Sequence, residues 1–288
     1  MNLTDIRYGR FNSVLARRLL GLFYRPGGAY RIWFGPLRGL RMRYDLSINF
    51  HAILGLWDTE TFRLLDRVLV TSGLLAENSV AVDVGGNIGY YTMWLCKVVA
   101  ERGFVYSFEP SPEAVRFLRD NLNLNKITNA EVIESACGNH VGATEFFLSS
   151  HHHCSSIHAK WAAGEQGNAH KTIVPMTTLD AFFAPETKRR PPALIKVDIE
   201  GGGTDALPGC RQLFREARPF VLIESHMPEE DRAISNVLCE FDYCGYRLSN
   251  RKWVKNAGAI YPEKDGVWGT ILLMPAERRE RVAALIGT

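Results

Sequence analysis

Hydrophobic and polar positions along most of the chain switch between a short period and a helical one. Val80–Val84 is apolar except for Asp83, the pattern of a strand buried on both faces, and it runs through glycines into an amphipathic stretch, "GYYTMW". Phe104–Phe108 is a second apolar run. After it, Ser111 is placed to cap a helix that has Pro112 at its first position, Glu113 in its first turn and Val115, Leu118 and Leu122 on one face. "AEVIESACG" predicts a third strand, "PALIKVDIEGGG" a fourth and "PFVLIESHM" a fifth, with further strands near 246–248 and 268–274. Between Glu145 and Pro192 the alternation lapses, which predicts an insertion on the substrate side before the fourth strand; within it "TTLDAFF" reads as a capped helix start. Strands alternating with helices predict an α/β fold with a mostly parallel sheet.

The turn after the first strand is built to hold a ligand. Glycine lets backbone approach a bound molecule, and the first N–H groups of a helix lack intrahelical partners. The spacing is Asp83, Gly85, Gly86, Gly89, with Asn87 between, so Asp83 stands where the dinucleotide fingerprint G-x-G-x-x-G has its first glycine. That counts against NAD and FAD, and the absence of a terminal Lys-Ser/Thr excludes a P-loop. S-adenosylmethionine, with an ammonium and a sulfonium in place of a pyrophosphate, suits a carboxylate-bearing turn. Glu109, 20 residues past Gly89 at the end of the second strand, is placed to hydrogen-bond two ribose hydroxyls. Ser135 and Ala136, at the end of the third, mark where an adenine ring could lie.

Candidate chemistry gathers at the fourth and fifth strands. Alternation puts Lys196, Asp198 and Glu200 on one side of an extended chain, with Ile195, Val197 and Ile199 on the other. Asp198 and Glu200 fall at the carboxyl end of a central strand, where open α/β sheets collect ligands. A sheet-stabilising Lys196–Asp198 pair is the competing reading. The fifth strand ends in Glu224 and His226, and an imidazole suits proton transfer near neutrality. Asp198, Glu200 and His226 are therefore the catalytic candidates. Carboxylates also suit magnesium, but the Asp198–Glu200 spacing by itself defines no metal site.

"VDVGGNIGYYT", "FEPSPEAVRFLRDNLNLN", "ESACGN" and "LIKVDIEG…LPG" occur in an order and spacing that resemble the FkbM family of methyltransferases, over roughly residues 54–274. The resemblance implies a Rossmann-like class I methyltransferase fold: seven strands in the order 3-2-1-4-5-7-6, the seventh antiparallel. It further implies S-adenosylmethionine as cofactor, bound by Asp83, Gly85, Gly86, Asn87, Gly89, Glu109, Ser135, Ala136 and Asp198, and O-methylation of a sugar, glycolipid or polyketide hydroxyl. The chain departs from the family's E-G-A-E pattern, with Gly203 where the second glutamate falls; Asp205 is the nearest acid. A nucleotide-dependent oxidoreductase is the alternative, opposed by the incomplete dinucleotide fingerprint. A non-catalytic SAM-binding membrane or protein adaptor is another, and it leaves the acids at successive strand ends unexplained.

Composition changes this picture in one place. The 288 residues carry a net charge of +3, but residues 1–43 hold nine arginines against one aspartate, and the remainder is net negative. Arginines interleaved with Phe11, Leu15, Leu19, Leu20, Leu22 and Phe23 predict an amphipathic helix broken at Pro26-Gly27-Gly28, within a basic N-terminal helical arm (1–50) ahead of a methyltransferase domain (51–288). Such an arm suits an anionic membrane surface, or docking on the enzyme or on a second copy of the chain. No nucleic-acid-binding module is recognisable. Six cysteines without a C-x-x-C pair fit free thiols in the cytoplasm, and no apolar run reaches spanning length. His151, His152, His153, Cys154 and His158 lack zinc spacing and read as a polar loop.

Overall fold

The computed structural model describes residues 24–25, 27–43, 50–149, 155–159, 169–254 and 269–287. The chain divides into two compact units, Met1–Trp57 and Asp58–Thr288. In the first, β1 (Ala29–Arg31) and β2 (Arg41–Arg43) form an antiparallel pair, followed by the short helix α1 (Phe50–Leu54). Residues 29–43, beyond the helix break expected at Pro26-Gly27-Gly28, are a hairpin that includes buried Ile32, Leu37 and Met42. The arginine-flanked apolar stretch from Phe11 to Phe23 lies outside the described residues.

The second unit begins with α2 (Thr59–Leu65), which continues as π-helix to Thr71, and then builds the sheet. Its strands are β3 (Val80–Val84), β4 (Phe104–Phe108) and β5 (Ala130–Ile133), then β9 (Leu194–Val197), β10 (Phe220–Ser225), β11 (Tyr243–Arg247), β12 (Lys252–Val254) and β13 (Gly269–Pro275). Across the sheet they run β12-β11-β13-β10-β9-β3-β4-β5. The sheet has eight strands where seven were expected, because the chain turns back after β11 to add β12 at the edge. β5, β4, β3, β9 and β10 are mutually parallel; β13 runs antiparallel to both β10 and β11.

Helices α3 (Tyr90–Val99), α4 (Pro112–Leu124) and α8 (Pro228–Glu240) follow β3, β4 and β10; α5 (Leu179–Phe182), α6 (Gly203–Ala206) and α7 (Arg211–Glu216) are short, and α9 (Arg279–Ile286) closes the chain. The local signals for α4 act as chemistry requires: the Ser111 hydroxyl accepts from the Ala114 amide, and Val115, Leu118 and Leu122 are buried. The Thr178 hydroxyl caps α5 in the same way.

Three stretches differ from the expected pattern. "AEVIESACG" does not make one strand: β5 stops at Ile133, and β6 (Ala136–Cys137) joins a second sheet with β8 (Ala169–Thr177) and β7 (Gly142–Ser149), in the order β6-β8-β7. Part of the expected insertion, 145–149 and 169–177, belongs to this hairpin, eight residues paired with eight, which buries Phe146, Val174 and Met176 on one face. The fourth strand also ends early. β9 stops at Val197, so Asp198 and Glu200 sit on the turn beyond it, and Glu200 adopts a left-handed backbone with φ 42°.

Candidate active site

β3 and β9 lie side by side at the centre of the sheet, so both carboxyl-end turns open at the same place. The β3 turn reverses through positive φ at Gly85 (83°), Asn87 (45°) and Gly89 (92°) before α3 begins. The amides of Gly85 and Gly86 both donate to the Phe108 carbonyl, tying the turn to the end of β4. Gly85 must be glycine for contact as well as for φ: a Cβ there would lie 2.1 Å from the backbone oxygen of Asp198. The cofactor turn and the carboxylate turn are therefore packed backbone to backbone.

Glu109 sits directly after β4. Its carboxylate accepts from the amides of Asn87 and Ser111, both at 2.8 Å, and burial pushes its carboxyl up to about 7. The Ile133 carbonyl accepts from the amides of both Glu109 and Ser135, which brings Ser135 beside Glu109. The start of α3 has no side-chain cap. An uncapped helix start, a left-handed turn and an anchored carboxylate with acceptor capacity to spare fit the nucleoside part of S-adenosylmethionine.

Asp83 has a different place from the one its sequence position suggests. It is 0% exposed, accepts from the Thr92 hydroxyl at 2.7 Å and pairs with Lys196 at 3.1 Å, so it supports the turn from beneath instead of presenting a carboxylate to a ligand. Burial raises its pKa, opposed by Lys196 and Thr92. The Lys196 ammonium also donates to the Gly85 carbonyl at 3.0 Å and lies 3.5 Å from Asp198. Burial works against that ammonium, but Asp83 and Asp198 outweigh it and hold its pKa above the ordinary lysine value. The sheet-stabilising pair expected for Lys196 thus runs chiefly to Asp83, and the lysine joins the two turns.

Asp198, Glu200 and His226 converge at the mouth. His226 Nε2 is 3.6 Å from Asp198 and 3.7 Å from Glu200, while Nδ1 is 3.4 Å from Glu230. Burial opposes the imidazolium, but Glu230, Asp198, Glu200 and Glu224 together raise its pKa to about 10, well above the near-neutral titration expected from residue type. Burial, with Asp198 and Glu230 adding to it, raises Glu200 to about 7. Repulsion from Asp198 and then burial raise Glu224 to about 8.

Sequence reasoning noticed Glu224 but gave it no role, although the E-x-H spacing of a strand already put it on the same side as His226. Glu230 was missed. It is 1% exposed, and accepts from the Gly203 amide at 2.9 Å and the His226 amide at 2.6 Å. A Cβ on Gly203 would lie 2.7 Å from that carboxylate, so a buried acid from α8 stands against the position where the resemblance led one to expect a glutamate. Asp205 does not fill that role; it bonds His158 at 3.1 Å and Asn139 at 2.9 Å. Tyr91, whose hydroxyl donates to Asp58 and whose ring lies 5.0 Å from the Lys196 ammonium, had no local signal either. His151 to Cys154 lie outside the described residues.

Residues 83–248, more than half of the chain, match the methyltransferase FkbM domain. The chain belongs to that family, and its second unit is an α/β fold with a mostly parallel central sheet. A curated relative, the tRNA(Phe) (4-demethylwyosine(37)-C(7)) aminocarboxypropyltransferase of Methanocaldococcus jannaschii, is 42% identical over 53 residues, 18% of this chain and 21% of that protein. Among solved structures, a methyltransferase FkbM from Methylobacillus flagellatus KT is similar over 79% of this chain and 55% of its own length, at 17% identity and a TM-score of 0.45. An rRNA methylase from Streptococcus thermophilus is similar over 76% of this chain and 96% of its own, at 14% identity and 0.44.

Proposed function

We propose that the protein is an O-methyltransferase that acts on a hydroxyl of a sugar, glycolipid or polyketide. The observation that supports this best is the convergence of Asp198, Glu200, Glu224 and His226 beside a nucleoside-binding turn that packs against Asp198. Such a polar, anionic mouth suits orienting and deprotonating a hydroxyl. When bound, S-adenosylmethionine supplies a methyl on a sulfonium, so that an oxygen–carbon bond forms as the carbon–sulfur bond breaks and its electron pair stays on sulfur.

The chain's part is to hold, align and take a proton. Glu109 is placed for the ribose hydroxyls, and residues 85–89 with the start of α3 for the rest of the nucleoside. Asp198 shares its charge with Lys196, and the His226 ring is engaged by Glu230. Glu200, 3.7 Å from His226 Nε2, is then the carboxylate best placed to receive the hydroxyl proton. Alignment of oxygen and methyl supplies much of the remaining acceleration.

Glu200→Gln is expected to lower turnover about 100-fold to 10,000-fold with SAM affinity unchanged by calorimetry. Glu109→Gln is expected to weaken SAM by about 1.5–3 kcal/mol, the value of hydrogen bonds to a charged group. Mass spectrometry of candidate acceptors should show the gain of one methylene unit. Near wild-type turnover of Glu200→Gln at saturating SAM and acceptor would remove Glu200 from the chemistry.

The N-terminal unit supports a second role, association with an anionic membrane surface. Trp33 and Phe34 are 55% and 58% exposed, and the Arg31 guanidinium stands 5.8 Å over the Trp33 ring. Aromatic side chains beside arginines suit the headgroup layer of such a membrane.

A further inference from the structure

We propose that Asp198, Glu224 and His226 Nε2 form a binding site for one divalent cation of the magnesium–manganese class. One ligand atom from each of the three residues lies within 4.8 Å of the others. The set comes from two adjacent strand ends, those of β9 and β10, so the sheet fixes its spacing. It also mixes carboxylate oxygen with imidazole nitrogen, the donors such ions accept.

A second observation concerns the other edge of the imidazole. Metal-bound histidines commonly direct their second ring nitrogen at a carboxylate, which fixes ring orientation. Here Nδ1 faces the buried Glu230, itself held by the amides of Gly203 and His226. That turns Nε2 toward the mouth. Its distance of 3.6 Å to Asp198 exceeds an ordinary hydrogen bond, yet is spanned by two bonds of about 2.0–2.1 Å to a single ion.

Charge points the same way. Asp198, Glu200, Glu224 and Glu230 surround one histidine, and the nearest ammonium, Lys196, is shared with Asp83. The site therefore holds more carboxylates than cations. With three protein ligands, the ion keeps open positions, and an acceptor hydroxyl bound at one of them would be acidified and aligned for methylation. Only this catalytic role rests on the O-methylation reading; binding of the ion does not.

The test is a titration of the metal-stripped, full-length protein with Mn2+, without SAM or acceptor, followed by calorimetry and by the electron paramagnetic resonance of free Mn2+. One saturable site per chain is expected. Asp198→Asn, Glu224→Gln and His226→Ala should each weaken it at least about tenfold, and Asp205→Asn, outside the set, should leave it unchanged. Thermal melts confirm that each variant is folded. Absence of a saturable site, or wild-type affinity in folded Glu224→Gln, would overturn the proposal, as would a site that takes Zn2+ and refuses Mn2+ and Mg2+. Chelation should stop methyl transfer and Mg2+ or Mn2+ restore it. Undiminished transfer after chelation would overturn the catalytic role while leaving the O-methylation reading intact. Saturable Mn2+ binding in a protein that methylates no hydroxyl acceptor would count against O-methylation and leave the metal site standing.

Discussion

At the scale of single residues, the two turns of this site rest on one buried ion pair. Asp83 and Lys196 are both enclosed, and removing one partner strands the other. Asp83→Ala should therefore cost about 3–5 kcal/mol of stability in denaturant unfolding, the usual penalty for breaking a buried pair. A variant of wild-type stability with weakened SAM binding would return Asp83 to the role of direct ligand contact. Gly203 makes the complementary case. Its added methyl would press on the Glu230 carboxylate at 2.7 Å, so Gly203→Ala should lose about 1–3 kcal/mol, measured in the same way.

At the scale of elements, the β7–β8 hairpin is docked on the active-site turn. The Ser156 hydroxyl donates to the Glu200 carbonyl at 2.7 Å, and His158 pairs with Asp205 at 3.1 Å. The hydrogen bond to Asp205 raises the His158 pKa above its ordinary 6.5, and the same bond lowers Asp205 below its ordinary 3.8; His140, Asn139, Thr204 and Glu230 also face this pair. Because His158 is raised in the folded state, its stabilisation is complete below 6.5 and is lost as pH rises through the folded value. Because Asp205 is lowered, its contribution is present above 3.8 and is lost as pH falls through the folded value. Docking should be strongest between those limits. The melting temperature of the wild type, relative to His158→Ala, should thus fall as pH rises above 6.5; parallel curves for the two proteins would show that the pair contributes nothing.

At the scale of the whole molecule, basic charge is concentrated in residues 1–43 and the proposed catalytic groups in the second unit. No helix among the described residues is long and apolar enough to cross a membrane. Deleting residues 1–43 should leave SAM affinity nearly unchanged and reduce sedimentation with anionic vesicles, and added salt should weaken vesicle binding of the intact chain. Trp33→Ala with Phe34→Ala should reduce binding in the same direction without altering its salt dependence. Equal sedimentation of the truncated and intact proteins would reject the membrane role.

What the sequence determined by itself is what short-range physics controls. The apolar run Val80–Val84, the cap at Ser111 and the helical face Val115, Leu118, Leu122 each follow from a few neighbouring residues, and each lies where that local pattern places it. The glycine spacing after β3 and the acid at Glu109 were legible for the same reason: a tight turn and a strand end impose residue types directly. Tertiary structure decided the partners. That Asp83 faces Lys196 instead of a ligand, and that Glu230 reaches back to Gly203, depend on residues more than 100 and 27 positions apart in the chain. Alternation in a strand names the side a residue points to, but not what waits there. The hairpin within the expected insertion is the same case, since its strands are held by pairing across the chain and by one buried face, which no local period announces.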